Sequence, residues 1–189
     1  MARIRTFVAI ELPNDIRRAV KKVIDKLAPF AHNVRWVSAE NLHITLVFLG
    51  DVEDRSVHAA CQAVARACAN IEPFPVVVQG TGCFPKPEKP RIIWAGLDVG
   101  AEEITFLREQ VSNELEAAGF QFDWKFSPHI TIGRVNHGRF NDQEVITKSI
   151  EFADKPFGEF VITDVSVMSS LLEKSGPTYV RLSSAPLDG

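Results

Sequence analysis

The sequence predicts an α+β fold of two similar lobes, each built on a largely antiparallel sheet. Three observations predict it. Short segments with two-residue alternation outnumber segments with helical period. Their order, strand–helix–strand–strand then helix–strand–strand, recurs roughly once. The tripeptide HIT occurs twice, in NLHITLVFLG (41–50) and in FSPHITIGRV (126–135), once in each half. Outside the tripeptide the repeat is faint, so duplication is read from element order. A length of 189 residues suits one compact unit spanning 1–189 with a shared core, not two large independent domains.

The elements follow in order. IRTFVAIE (4–11) alternates as a strand. Pro13 fits the first turn of a helix in which Ile16, Val20, Val23, Ile24 and Leu27 keep the helical period until Pro29. NVRWV (33–37) is a short strand, SAEN a turn, and LHITLVFL (42–49) a strand that Gly50 should stop. Residues 54–69 carry Val57, Cys61, Val64, Ala65 and Cys68 on one helical stripe, and FPVVVQ (74–79) returns as a strand. GTGCFPKPEKP (80–90) is expected to be an irregular loop. RIIWAGLDV (91–99) is a strand, and 101–118 a helix with Ile104, Leu107, Val111, Leu115 and Ala118 inward and Gly119 as its stop. FQFDWKF (120–126), the second HIT strand (129–135), a short helix near 141–149, and the strands FVITDVSVMSS (160–170) and TYVRLSS (178–184), joined by EKSGP, complete the chain.

Composition narrows the function. A formal net charge of −3 argues against a protein that coats long nucleic acid, because such binding rests on a strongly basic surface. A small, locally held anion remains compatible with it. The N-terminus MARIRTFVAIELP lacks the unbroken apolar run of a secretory signal, and no segment approaches the ~20 apolar residues of a membrane span, so the expected address is the cytosol. Nor does any apolar stripe demand a partner, and a monomer is expected. Cys61, Cys68 and Cys83 lack CxxC spacing, which predicts reduced thiols and neither a disulfide framework nor a zinc site.

In a strand, residues two apart share a face. His43 and Thr45 therefore project together, as do His129 and Thr131, while Leu42, Ile44, Leu46 and Phe48, with Ile130 and Ile132, form the opposite, core-facing set. One His-x-Thr pair is ordinarily a satisfied, half-buried pair. Recurrence with the same neighbour in both halves has no structural cause and points to chemistry. Two imidazoles can divide the work of phosphodiester cleavage, one taking a proton from the attacking oxygen and the other giving one to the leaving oxygen. Each threonine hydroxyl can donate to a non-bridging phosphate oxygen. Threonine is a poor zinc ligand, so a metal at the pairs is not expected, and no cofactor is implied. No GxSxG elbow or P-loop occurs. His32, His58 and His137 lack the threonine and receive no role.

The motifs HITLVFLG and SPHITIGR, with RTFVAIELP, VRWVSAENLHITLVFLGDV, PRIIWAGL and TYVRL around them, resemble the 2H phosphoesterases, in particular the RNA 2′,3′-cyclic phosphodiesterase branch also called 2′-5′ RNA ligases. That resemblance implies a bilobal fold around a central cleft. It implies metal-independent hydrolysis of RNA or nucleotide 2′,3′-cyclic phosphate ends to 2′-phosphates, and detectable 2′-5′ joining in reverse. His43 and His129 carry over as the acid–base pair, with His43 assigned as the acid for the departing 3′ oxygen and His129 as the base for water, an order the sequence does not fix. Thr45 and Thr131 carry over as phosphate ligands. Arg134 matches the arginine that ends the second motif. Five residues from His129, it lies on the opposite face of a regular strand, and reaches the phosphate only if the strand ends or bulges near Gly133. Phe48, Phe84, Arg91 and Trp94 are candidates to line a nucleoside pocket, although Phe48 and Trp94 also fit the core of their apolar strands. Lys86 and Lys89 could attract RNA or simply sit in a solvated loop. The competing reading is a non-catalytic module that binds nucleotides or RNA ends in the same cleft.

Overall fold

The computed structural model describes residues 2–31, 33–136, 143–173 and 176–189. Strand β1 (Arg3–Glu11) leads into helix α1 (Asn14–Leu27), capped by Pro13 in extended conformation. The five apolar residues predicted for its inner stripe, Ile16, Val20, Val23, Ile24 and Leu27, are all buried. Each contributes about 1.5–3 kcal/mol of burial, which holds the helix on the sheet. A short strand β2 (Val34–Trp36) and a 3₁₀ turn at Ala39–Asn41 precede β3 (His43–Glu53), α2 (Asp54–Cys68), β4 (Phe74–Phe84) and β5 (Ile92–Leu97). Helix α3 (Ala101–Ala117), β6 (Ile130–Val135), α4 (Gln143–Ile150), β7 (Pro156–Ile162), β8 (Asp164–Glu173) and β9 (Gly176–Pro186) follow. None of the described helices is long and apolar enough to cross a membrane.

All pairings are antiparallel, in the order β7-β4-β5-β6-β3-β1-β8-β9, with β2 added to β6. Two four-stranded halves, β7-β4-β5-β6 and β3-β1-β8-β9, meet at a single pair, Ile44 opposite Ile130. Both isoleucines are fully buried. The expected lobes are these two half-sheets, and each HIT strand forms the inner edge of one. Helices α1 and α4 pack on the β4–β7 half, and α2 and α3 on the β1–β3–β8–β9 half. Consequently β1 belongs to one lobe and the helix after it covers the other.

Several boundaries differ from the sequence reading, each for a local reason. Gly50 does not stop β3. It takes φ +69°, a left-handed backbone, at a register irregularity, and the strand continues to Glu53. Strand β4 likewise runs past Gly80 to Phe84, because the antiparallel partner β5 extends alongside it, which leaves only the residues after Phe84 as the predicted loop. The stretch 160–170 is two strands broken at Thr163, and 120–126 forms no strand. On α2 the buried stripe is Ala60, Ala63, Val64, Ala67 and Cys68. Ala65 is exposed and Cys61 only half-buried. His58 is exposed, whereas His32, His137, residues 141–142 of the predicted helix and 174–175 of the EKSGP turn lie outside the described residues.

Candidate active site

Both HIT strands carry the same irregularity immediately after the threonine. In β3, Ala9 of β1 pairs with Thr45 and Val8 with Val47, so Leu46 is the extra residue. In β6, Trp94 of β5 pairs with Thr131 and Ile93 with Gly133, so Ile132 is the extra residue. Leu46 and Val47 are consequently both buried, as are Ile132 and Gly133. Alternation resumes one step late. The residue five positions after each histidine, Phe48 in one strand and Arg134 in the other, thus returns to the histidine's face. This corrects the expectation that Phe48 joins Ile44 in the core, for its side chain is 58% exposed and lies 6.1 Å from the Phe7 ring. It also supplies the bulge that Arg134 requires. Gly133 is fixed there by close approach, since a Cβ would meet Val34 at 2.7 Å and the Trp36 ring at 3.0 Å.

The Ile44–Ile130 pair sets the relation between the two motifs. With antiparallel register, His43 falls opposite Thr131 and Thr45 opposite His129, all four on the face away from the buried isoleucines. Diagonal neighbours on one sheet face are about 7–8 Å apart at Cα, which makes His43 and His129 neighbours across the seam between the two half-sheets.

Each ring is held in the same way. His43 Nδ1–H donates to the Asn41 carbonyl at 2.7 Å, and His129 Nδ1–H donates to the Ser127 carbonyl at 2.7 Å. A carbonyl only accepts, so the neutral tautomer of each ring carries its proton on Nδ1 and leaves the Nε2 lone pair free. Nε2 of His43 then accepts from Thr45 Oγ1 at 2.9 Å, and Nε2 of His129 from Thr131 Oγ1 at 3.2 Å. Asn41 is itself anchored, because its Nδ2 donates to the Pro177 carbonyl of β9 at 2.8 Å.

Aromatic rings brace both histidines. Tyr179 meets His43 edge-on at 5.3 Å and Phe7 lies at 5.1 Å, while Phe84 meets His129 edge-on at 5.2 Å. Tyr179 and Phe7 were not singled out as site residues from sequence, since both stand in plain alternating strands. Phe7, Ala9 and Met168, with Tyr179 against them, form a small cluster on the cleft side, separate from the helix-covered core. Trp94, the other candidate that also fitted the core, pairs with Thr131 and shares its face, packs on Phe84 at 5.3 Å and lies over Gly82. Arg91 precedes β5, exposed, and is the one sequence candidate the structure does not bring against the histidine face.

Burial lowers the pKa of both imidazoles below the ordinary 6.5, opposed by the bonds to Asn41 and Ser127. The Arg134 charge lowers both further, and Arg17 and His129 act on His43 in the same direction. Beside His43, a cavity of about 220 Å³ extends over β1, lined among others by Phe7, Glu11, Arg17, Tyr179 and Arg181. Glu11 is held there by Ser166 at 2.8 Å and Arg181 at 3.3 Å.

With this geometry in place, comparison with known proteins is informative. The sequence matches the family described as LigT like Phosphoesterase over residues 10–94 and 97–179, one HIT motif in each stretch. It is 34% identical over 185 residues to a Thermotoga maritima protein named RNA 2′,3′-cyclic phosphodiesterase, covering 98% of this chain and 96% of that one. An Archaeoglobus fulgidus protein of the same name is 33% identical over 178 residues, covering 94% and 97%. Among solved structures, the protein TT0787 of Thermus thermophilus superposes with a TM-score of 0.81 at 27% identity over 98% of this chain and 99% of that one. Escherichia coli LigT complexed with 3′-AMP gives 0.80 over 99% of each chain and, at 24% identity, shares the fold. Matches to both halves of the motif, at these identities over nearly the whole length, show that the chain belongs to the LigT-like family of 2H phosphoesterases.

Proposed function

We propose that the protein hydrolyses the 2′,3′-cyclic phosphate at RNA or nucleotide ends to a 2′-phosphate, with His43 and His129 as the acid–base pair. The observation that carries this reading is the doubled anchoring of the rings. Each imidazole is locked with Nδ1 on a carbonyl and Nε2 facing its threonine across one shared space. The names of the Thermotoga and Archaeoglobus relatives support the same substrate class.

In the forward reaction, water attacks phosphorus and yields its proton to the free Nε2 of neutral His129. The P–O3′ bond breaks, and O3′ takes the Nε2 proton of protonated His43. The Thr45 and Thr131 hydroxyls turn from the imidazoles to the non-bridging oxygens, where charge gathers in the transition state. Arg134, brought to this face by its bulge, balances the anion. Both rings are biased toward neutrality in the free protein. A bound phosphate anion favours the protonated form of the neighbouring imidazole and so supplies the acid. An RNA 5′-hydroxyl taking the place of water would give 2′-5′ joining with both histidines in the same roles, and because the two locks match, the roles can exchange when O3′ attacks and a 2′-5′ bond is cleaved. Phe48, Phe84 and Trp94 offer ring faces to the nucleoside. Both motifs come from one chain, so residues 1–189 form one two-lobed unit that works as a monomer.

The test is a phosphorus NMR time course on a cyclic-phosphate dinucleotide with EDTA-treated protein. A 2′-phosphomonoester should accumulate. No turnover, turnover only on adding metal, or a 3′-phosphate product would overturn the reading.

A further inference from the structure

Arg35 of β2 lies directly opposite Arg134 of β6. Directly opposed residues in an antiparallel pair share a face, and here the neighbouring pair confirms which one. Trp36 and Gly133 pack together on the helix side, where a Cβ on Gly133 would touch the Trp36 ring at 3.0 Å, so Arg35 and Arg134 point to the cleft side. Both are exposed. Like charges set opposite each other destabilise a sheet unless something between them is negative. Among the described residues, neither guanidinium has a carboxylate within 4.0 Å, although other arginines of the chain (Arg17, Arg55, Arg66, Arg181) each have one.

The surroundings deepen the anomaly. Arg91 precedes the strand next to β6, and its carbonyl accepts the Val135 N–H. Lys86 and Lys89 sit in the exposed turn after Phe84, with Glu88 the only acid between them, 4.0 Å from Lys86. A chain of net charge −3 thus sets two arginines side by side on its cleft face, without an acidic partner among the described residues. Arg134 lies on the HIT strand itself, whereas Arg35 lies on the adjoining strand β2, one strand removed from His129 and Thr131.

We propose that Arg35 is a second phosphate ligand, which holds the phosphodiester 5′ to the terminal ribose of an RNA strand, with Lys86 and Lys89 in the turn after Phe84 continuing the track. The inference rests on the cyclic phosphodiesterase reading and makes an oligonucleotide end, rather than a free nucleoside cyclic phosphate, the preferred substrate. Two phosphates held in series also orient the strand and bring its last ribose to the histidines in one sense.

The experiment compares kcat/KM for a nucleoside 2′,3′-cyclic phosphate with that for a trinucleotide ending in the same cyclic nucleoside, across a salt series. The wild type should prefer the trinucleotide, and the preference should fall with salt. Arg35→Gln should reduce the preference about five- to tenfold and lower the magnitude of the salt slope by about one, as expected when one phosphate contact is lost. Arg35→Lys should keep most of both, and Arg66→Gln, the same charge change on α2, should leave the ratio unchanged. If Arg35→Gln misfolds, the Lys86→Gln/Lys89→Gln pair in the exposed turn should still reduce the salt slope. A wild type without preference for the trinucleotide, or an Arg35→Gln protein that retains the wild-type ratio and slope, would overturn the proposal. Absence of any turnover of the nucleoside cyclic phosphate would instead defeat the underlying reading of the site.

Discussion

Arg134→Gln isolates what the bulge in β6 contributes. Glutamine keeps a donor at roughly the same reach and removes the charge. A charge-assisted hydrogen bond to phosphate is worth about 1.5–3 kcal/mol and a neutral one about 1, so the transition state should lose about 1–2 kcal/mol. At 1.36 kcal/mol per decade that is about a 5- to 30-fold fall in kcat/KM. The side chain is exposed, so stability should hardly change. The substitution has a second signature. Arg134 disfavours the protonated form of both imidazoles, so its removal should move both limbs of the kcat/KM–pH profile upward. The assay is initial-rate kinetics on a nucleoside 2′,3′-cyclic phosphate between pH 4.5 and 8.5. A variant within twofold of wild type, with an unmoved profile, would show that the arginine does not face the phosphate and that the Ile132 bulge has no functional consequence.

Three other outcomes follow from the same geometry. Thr45→Val and Thr131→Val keep shape and delete the donors beside Nε2, so each should lower kcat by about 10²-fold, while a loss under threefold would remove the threonines from the phosphate. Phe48→Ala should change stability by no more than about 0.5 kcal/mol because the ring is exposed, yet raise KM through lost stacking; a stability loss of about 3–5 kcal/mol would restore Phe48 to the core. The buried histidines also make stability depend on pH. Their folded-state pKa values lie below the unfolded 6.5, so the unfolded chain binds more protons in mild acid. Stability is then full above about pH 6.5 and declines as pH falls through the lowered values. Thermal melts of a His43→Gln/His129→Gln protein should show a shallower decline between pH 7 and 5 than wild type, and parallel curves would contradict the burial of the rings.

Much of this was legible in the sequence, because periodicity reports which side of an element is buried. The stripes of α1 and α3 emerged at Ile16–Leu27 and Ile104–Leu115 as their spacing required. The His-x-Thr pairs could be placed on one face since strand alternation is strict over three residues. It was not strict over six. A bulge adds one residue without altering composition, so the return of Phe48 and Arg134 to the cleft could not be read from alternation, and only the register with β1 and β5 reveals it. The carbonyls of Asn41 and Ser127 were equally hidden, since a backbone acceptor leaves no trace in residue type. Tyr179 reaches His43 from far along the chain by way of β9, a contact that depends on tertiary pairing alone.

The division of labour between two imidazoles is tested most directly by pH–rate profiles of the wild type, His43→Ala and His129→Ala proteins. The wild type should give a bell in kcat/KM, and each single variant should lose about 10²–10⁴-fold in rate together with one limb of that bell, the acidic limb for the base and the basic limb for the acid. Both limbs surviving in either variant, or a loss of tenfold or less, would contradict a pair acting on one phosphate.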